Sequence, residues 1–154
     1  MKPLSGTYYR LIETGRAGEI LAPARSPEGR FHHGQQPALY MSETIEGTHV
    51  AMARYNGANG PEQTAHAVLV KEANVVDLRD LRQCDRLSID PKMMNLVWQD
   101  LPRPSLTWII SDGARAAGAD GMLYPSRSRP ELTHLVLFQW NLPVGPILTV
   151  KSSP

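Results

Sequence analysis

Residues 29–55 read GRFHHGQQPALYMSETIEGTHVAMARY, and both the fold class and the candidate site turn on how this stretch divides. Ala38-Leu39-Tyr40-Met41 is a short apolar run, which predicts a buried strand. Ser42 to Thr44 supply side-chain oxygens suited to capping, after which Ile45, Val50, Met52 and Ala53 give a helix one loosely apolar side. Gly47 weakens that helix by about 1 kcal/mol relative to Ala.

Working outward toward the N-terminus, Tyr8-Tyr9-Arg10-Leu11-Ile12 is aromatic and β-branched enough for a first strand, and Gly15 and Gly18 break any regular element after it. A loop then runs through Pro23, Pro27 and Gly29. In the other direction, alternation in Ala65 to Lys71 predicts a strand, with a bend at Glu72 to Asn74 before a further strand signal at Val75 to Leu78. Leu78 to Leu101 has a mixed pattern that suits short helices. Ser105 to Ile110 opens a helix whose apolar positions recur to Ala114, Ala117 and Ala119, with Gly113 inside it and Gly118 suited to its end. Gly121 to Tyr124, Leu135 to Phe138 and Pro146 to Val150 read as strands. Strands come clustered and helices are irregularly spaced, so an α+β fold with a mostly antiparallel or mixed sheet fits better than a doubly wound parallel sheet.

Composition bounds the function classes. A chain of 154 residues is the size of one domain, here residues 1–154, and can bury roughly two-thirds of its unfolded surface. Apolar residues at 42% and charged residues at 20% disfavour both disorder and a membrane protein. No apolar run approaches the ~18 residues of a membrane span, and the N-terminus has no apolar signal region, so a cytoplasmic location is expected. With 16 Lys and Arg against 15 Asp and Glu, no net charge draws the chain to nucleic acid or an anionic membrane. The single Cys84, among charges of both signs, is expected to be an ordinary thiol.

Arg30, His32, His33 and His49 invite a metal reading. Adjacent His32 and His33 point to opposite sides of an extended segment, and no CxxC, HExxH or acidic triad accompanies them, so no metal is expected. Solvated loop histidines, or one that hydrogen-bonds a ligand, are the better reading. Ser126 in YPSRS lacks a GxSxG context and suits a turn, yet Arg127 and Arg129 flank it with guanidinium forks that match phosphate oxygens. From these residues alone the chain is an α+β domain with a candidate anion site.

Gly29-Arg30-Phe31, Pro37 to Ser42, Gly118 to Arg127 and Leu135 to Phe138, taken in order and spacing, resemble the RES-domain family, the toxin halves of toxin–antitoxin pairs with Xre-type antitoxins. The likeness begins near Tyr9-Arg10 and covers most of the chain. It implies a fold related to ADP-ribosyltransferases and chemistry on NAD: the nicotinamide–ribose bond is cleaved and ADP-ribose passes to water, phosphate or a protein side chain. The family's Arg is similar to Arg30, its Tyr to Tyr40 and its Ser to Ser126. An Arg suits pyrophosphate or ribose hydroxyls, with Arg127 beside it, a Tyr stacks on nicotinamide, and a Ser hydrogen-bonds the amide or ribose. A carboxylate is expected to stabilise the oxocarbenium-like ribosyl cation.

That carboxylate should fall about eleven residues after Tyr40, where this chain has Ala51. Three explanations stand. A nearby acid, Glu43 or Glu46, takes over; the chain is a pseudoenzyme; or a Glu-to-Ala change silences a toxin. Glu46 lies five residues before Ala51, about 500° around a helix and off its face. The implied partners are NAD and a cognate Xre-type antitoxin that would cover the NAD cleft. The alternatives are a catalytically dead NAD- or partner-binding module and, more weakly, a nucleic-acid binder built on Arg127, Arg129 and Lys151, which lacks an accompanying run of aromatic residues.

Overall fold

The computed structural model describes residues 1–53 and 60–151. Among these residues six strands and three helices come in the order β1 (Lys2–Glu13), β2 (Leu39–Ser42), α1 (Ile45–Met52), β3 (Gln63–Asp77), α2 (Leu81–Arg86), α3 (Leu106–Ala116), β4 (Gly121–Pro125), β5 (Thr133–Leu137) and β6 (Ile147–Val150). Short 3₁₀ segments at Thr14–Glu19, Pro91–Asn95 and Trp98–Asp100 fill the connections. The α+β class expected from the sequence is the one that forms.

The sheet runs β1-β2-β5-β4-β3-β6, and β1 also pairs with β3, so the first five strands make a closed circuit with β6 outside it. Among the described residues only β3 and β4 pair in parallel. β1 and β3 match over most of their length, Lys2 opposite Val75 through Glu13 opposite Gln63, whereas β1 and β2 share the single pair Tyr9 and Ser42. The circuit is therefore loosely joined at one seam, and a cleft opens there.

Two apolar clusters hold the sheet from its two faces. Leu39, Met41, Val68, Val70, Val75, Leu123, Leu135 and Leu137 fill one side. The other side packs Val76, Met122, Tyr124, Val136 and Phe138 against α2, α3 and Phe31. All of β5 is buried, which explains why Leu135-Val136-Leu137 is continuously apolar and not alternating. Phe31 has no exposed surface and anchors the GRFHH loop in this second cluster.

The expected bend at Glu72 to Asn74 does not end a strand. β3 continues through it, and the irregularity is a bulge: Glu72 takes φ +60°, the register against β1 shifts between Leu4 and Gly6, and the Glu72 N–H donates to Ser5 Oγ at 3.1 Å. The partner that rescues this N–H lies 67 residues away, beyond the reach of any local pattern.

α1 starts where Thr44 caps it, its Oγ1 accepting from Gly47 N at 3.0 Å. Gly47, costly to the helix alone, lets α1 lie against β2. A Cβ there would stand 3.0 Å from Ser42 Cβ.

Asp77, 5% exposed, ties three strands together. It accepts from Arg79 Nε at 2.9 Å, Arg79 Nη2 at 2.8 Å and Lys2 Nζ at 2.9 Å, and Arg79 Nη1 donates to Thr133 Oγ1 at 3.1 Å. Burial alone would raise the Asp77 pKa, but the hydrogen bonds from Arg79 and Lys2 outweigh it and hold the carboxyl well below the usual carboxylate range. Asp77→Asn is expected to cost about 2 kcal/mol at pH 7, because it leaves buried donors facing an amide. Since the native pKa is depressed, wild type carries this stability above about pH 4 and loses it as acid protonates Asp77. Urea unfolding of both proteins should show the gap closing as the pH drops through the acid range below about 4.

Candidate active site

A cleft of about 930 Å³ opens at the seam between β1 and β2, a size within the range of small-molecule sites. Its wall is built from the second half of β1, the end of β2, the inner face of α1, the Ser26–Arg30 loop, the 96–99 segment, and the end of β4 with the loop after it. Arg30, Tyr40, Ala51, Ser126 and Arg127 all line it, although up to 97 residues separate them (127 less 30). Arg10, Arg16 and Arg25 line it too, so five guanidinium groups face two carboxylates, Glu13 and Glu28, among the described residues. Arg10 is turned to the carbonyls of Ile20 and Ala22 and Arg16 to Glu19, and the wall still holds more cationic than anionic side chains, which favours an anionic ligand there.

The Arg30 side chain is held from three directions. Nη2 donates to Met94 O at 2.6 Å, and the guanidinium carbon lies 5.1 Å from the Phe31 ring centroid and 5.3 Å from that of Tyr124. Stacking on two rings orients the planar fork.

Tyr40 is positioned by the histidine that looked most like a metal ligand. His32 is 2% exposed, and its Nε2 lies 2.8 Å from Ser26 O. A carbonyl only accepts, so Nε2 carries the proton and Nδ1 accepts from the Tyr40 hydroxyl at 2.7 Å. The same hydroxyl accepts from Phe31 N–H at 3.0 Å. Burial lowers the His32 pKa and keeps this neutral tautomer at pH 7. The Tyr40 hydroxyl is thereby occupied, and its ring is the part it offers to the cleft.

His33 turns the other way. Its ring stacks on Trp108 at 4.7 Å and its Nε2 pairs with Asp112 Oδ2 at 2.6 Å, while Asp112 Oδ1 accepts from Gln36 Nε2 at 3.1 Å. Trp108 Nε1 donates to Gly29 O at 2.8 Å, and Arg115 Nη2 donates to Phe31 O at 3.0 Å. Both histidines therefore help to hold the Arg30 loop; His32 is buried rather than solvated and lines the cleft, while His33 keeps a third of its side chain exposed. Glycine is required at 29: a Cβ would collide with the His32 ring, coming 2.7 Å from Nδ1 and 3.1 Å from the Tyr40 hydroxyl. Gly29→Val is expected to destabilise the fold by about 1–3 kcal/mol and to displace Tyr40, measured by urea unfolding and by the tyrosine and histidine NMR shifts.

Ser126 is 3% exposed and behaves partly as the turn former its context suggested: Oγ accepts from Arg129 N at 3.3 Å, while Ser126 N donates to Leu132 O at 2.9 Å. Arg129 points away to Glu46 at 2.5 Å and Glu131 at 2.7 Å, which leaves Arg127 as the arginine of this loop that lines the cleft. Ala51, in the last turn of α1, presents a methyl group to the cleft. Neither Glu43 nor Glu46 lines it, so the substitute acids weighed for Ala51 lie outside the wall. Tyr55, the end of the opening stretch, lies outside the described residues.

A family model described as the RES domain matches residues 6–151. The chain belongs to the RES-domain family. Among solved structures, the RES fold seen here is similar to a chain of the M. tuberculosis MbcT–MbcA toxin–antitoxin complex, with TM-score 0.67, 16% identity, 97% of this chain covered and 83% of that one. A search of curated proteins gives no match. Among the described residues no helix is long and apolar enough to cross a membrane.

Sequence reasoning on this RES chain overlooked Tyr9, Ser42, Tyr124 and His134 as cleft residues. The available signal was His134, a polar residue opening an otherwise apolar strand. Across the strand pairs, Tyr9 stands opposite Ser42, Ser42 opposite His134, and His134 opposite Tyr124. One rung of the sheet therefore lines the cleft from β1 to β4.

Proposed function

We propose that this chain is the toxin member of a toxin–antitoxin pair whose fold acts on NAD at the nicotinamide–ribose bond, and that Ala51 holds it in an inactive, NAD-binding form. The observation that carries the reading is convergence: Arg30, Tyr40, Ser126 and position 51, dispersed in sequence, line one arginine-rich cleft. In this assignment Arg30 and Arg127 bind the pyrophosphate or ribose hydroxyls, where charge-assisted bidentate contacts are strongest. The Tyr40 ring, its hydroxyl fixed by His32 and Phe31, stacks on nicotinamide. Ser126 hydrogen-bonds the carboxamide or the ribose.

Cleavage of the glycosidic bond leaves positive charge on the ribose, and binding alone does not stabilise it. A carboxylate beside the ribose does. The wall at position 51 offers a methyl group instead, and the carboxylates weighed as substitutes lie elsewhere: Glu46 is engaged with Arg129 and Glu43 does not reach the cleft. The second reading, a binding module, rests on this same methyl group and differs in one outcome, namely that restoring the acid yields no turnover.

An antitoxin partner is supported by the similar fold in a toxin–antitoxin complex, and covering this cleft would suffice for inhibition. The acceptor of ADP-ribose is water, phosphate or a protein, and the three are separated by product analysis. The cellular test is induced production of the chain and of its Ala51→Glu variant, with intracellular NAD monitored. The variant should deplete NAD and arrest growth where the unaltered chain does neither; growth and NAD unchanged with soluble variant would refute the assignment.

A further inference from the structure

The rung Tyr9–Ser42–His134–Tyr124 places in the cleft an imidazole that the proposed reaction does not otherwise use. Cross-strand partners project from the same face of a sheet, and all four residues line the cleft. His134 is 4% exposed and Ser42 2%, and His134 Nδ1 lies 2.6 Å from Ser42 Oγ. The Tyr124 ring packs on the imidazole at 5.4 Å between centroids. Ser42 Oγ–H has no other acceptor among the described residues, so its proton goes to Nδ1 and the neutral ring carries its own hydrogen on Nε2. Nε2 has no hydrogen-bond partner among the described residues, and it is not a fully enclosed unpaired atom either, so it meets the cleft.

No group facing His134 favours its protonation. Ser42 from β2 and Tyr124 from β4 are neutral, and Arg30 from the loop before β2 is cationic. Burial, with Arg30 adding to it, lowers the His134 pKa to about 4. This matters for the chemistry, because an imidazolium beside a ribose that is gaining positive charge would oppose bond cleavage. A neutral N–H still orients an oxygen without that penalty.

We propose that His134, fixed by Ser42, is a substrate-contacting residue whose Nε2–H donates to an oxygen of the nicotinamide-side ribose. The assignment rests on the NAD reading. The ribose is the fitting group because its hydroxyl and ring oxygens accept a neutral donor well, whereas phosphates are better matched by the guanidinium groups that already line the cleft. Ser126 and Arg127 come two and three residues after Tyr124, so this row of the sheet leads directly to the loop assigned to the same end of the ligand.

Calorimetric titration of the unaltered chain with NAD and with ADP, which lacks that ribose, tests this. His134→Leu should weaken NAD about tenfold and leave ADP unchanged, while His134→Gln, which restores an N–H near the Nε2 position, should stay within about threefold of the parent for both. Thermal unfolding establishes that both variants are folded. Equal NAD affinity in the parent and His134→Leu overturns the proposal, as does an equal loss for NAD and ADP, which would mark a purely structural role. Failure of the unaltered chain to bind NAD would instead remove the NAD reading itself, and this inference with it.

Discussion

Ala51→Glu should release nicotinamide from NAD about 10²–10³-fold faster than the parent chain. Position 51 is exposed within the cleft, so the longer side chain enters open space and needs no repacking. A carboxylate there sits near the C-terminal end of α1, where the helix dipole disfavours negative charge by about 0.3–1 kcal/mol. Arg30 and Arg127 across the cleft oppose that cost. The carboxylate therefore remains ionised at pH 7 and available to the developing ribosyl cation. The expected loss of stability is below about 1 kcal/mol, which separates a gain of chemistry from any change in folding. Measuring nicotinamide release by chromatography, with the Ala51→Gln variant beside it, distinguishes charge from size, because Gln fills the same space without the charge and should remain inactive.

The second large effect is expected at Arg30. Arg30→Met keeps an apolar stem against Phe31 and Tyr124 but removes the cation, and should weaken NAD binding by roughly 10- to 100-fold, the worth of charge-assisted hydrogen bonds to an anion. The same change acts on His134. Arg30 is the secondary cause, after burial, of its lowered pKa, so in Arg30→Met the His134 ring should titrate above about 4, as read from its NMR shifts. A loss of NAD affinity without that rise would mean the two residues do not share one cleft. A rise without loss of affinity would remove Arg30 from ligand binding.

Much of the fold was legible because its signals are local. β2 and α1 arise from one apolar run and a capping Thr44, α3 from helical periodicity ending near Gly118, and β4 and β5 from continuous apolar stretches. The irregularity at Glu72 was legible as a bend, but that it is a bulge held by Ser5 Oγ on another strand was not, because no local pattern records such a partner. The burial of His32 was not legible for the same reason. His32 finds Ser26 O and the Tyr40 hydroxyl, and His33 finds Trp108 and Asp112 from α3, partners that come from the fold and not from the neighbouring sequence.

The candidate site divides along similar lines. Arg30, Tyr40, Ser126 and Arg127 came from an ordered resemblance, and all line one cleft. Ser42 and His134 sit 92 residues apart and become neighbours only through the β2–β5 register. Sequence patterns mark each strand, yet they do not state which strands pair or in what register. The rung through His134 is a product of that pairing.

Calorimetric titration of NAD into the unaltered chain is the most direct measurement of the central claim, since in the proposed assignment Ala51 leaves binding without turnover. Saturable binding at a single site, weakened in Arg30→Met, is the expected result. No binding at millimolar NAD by a folded chain would contradict the account.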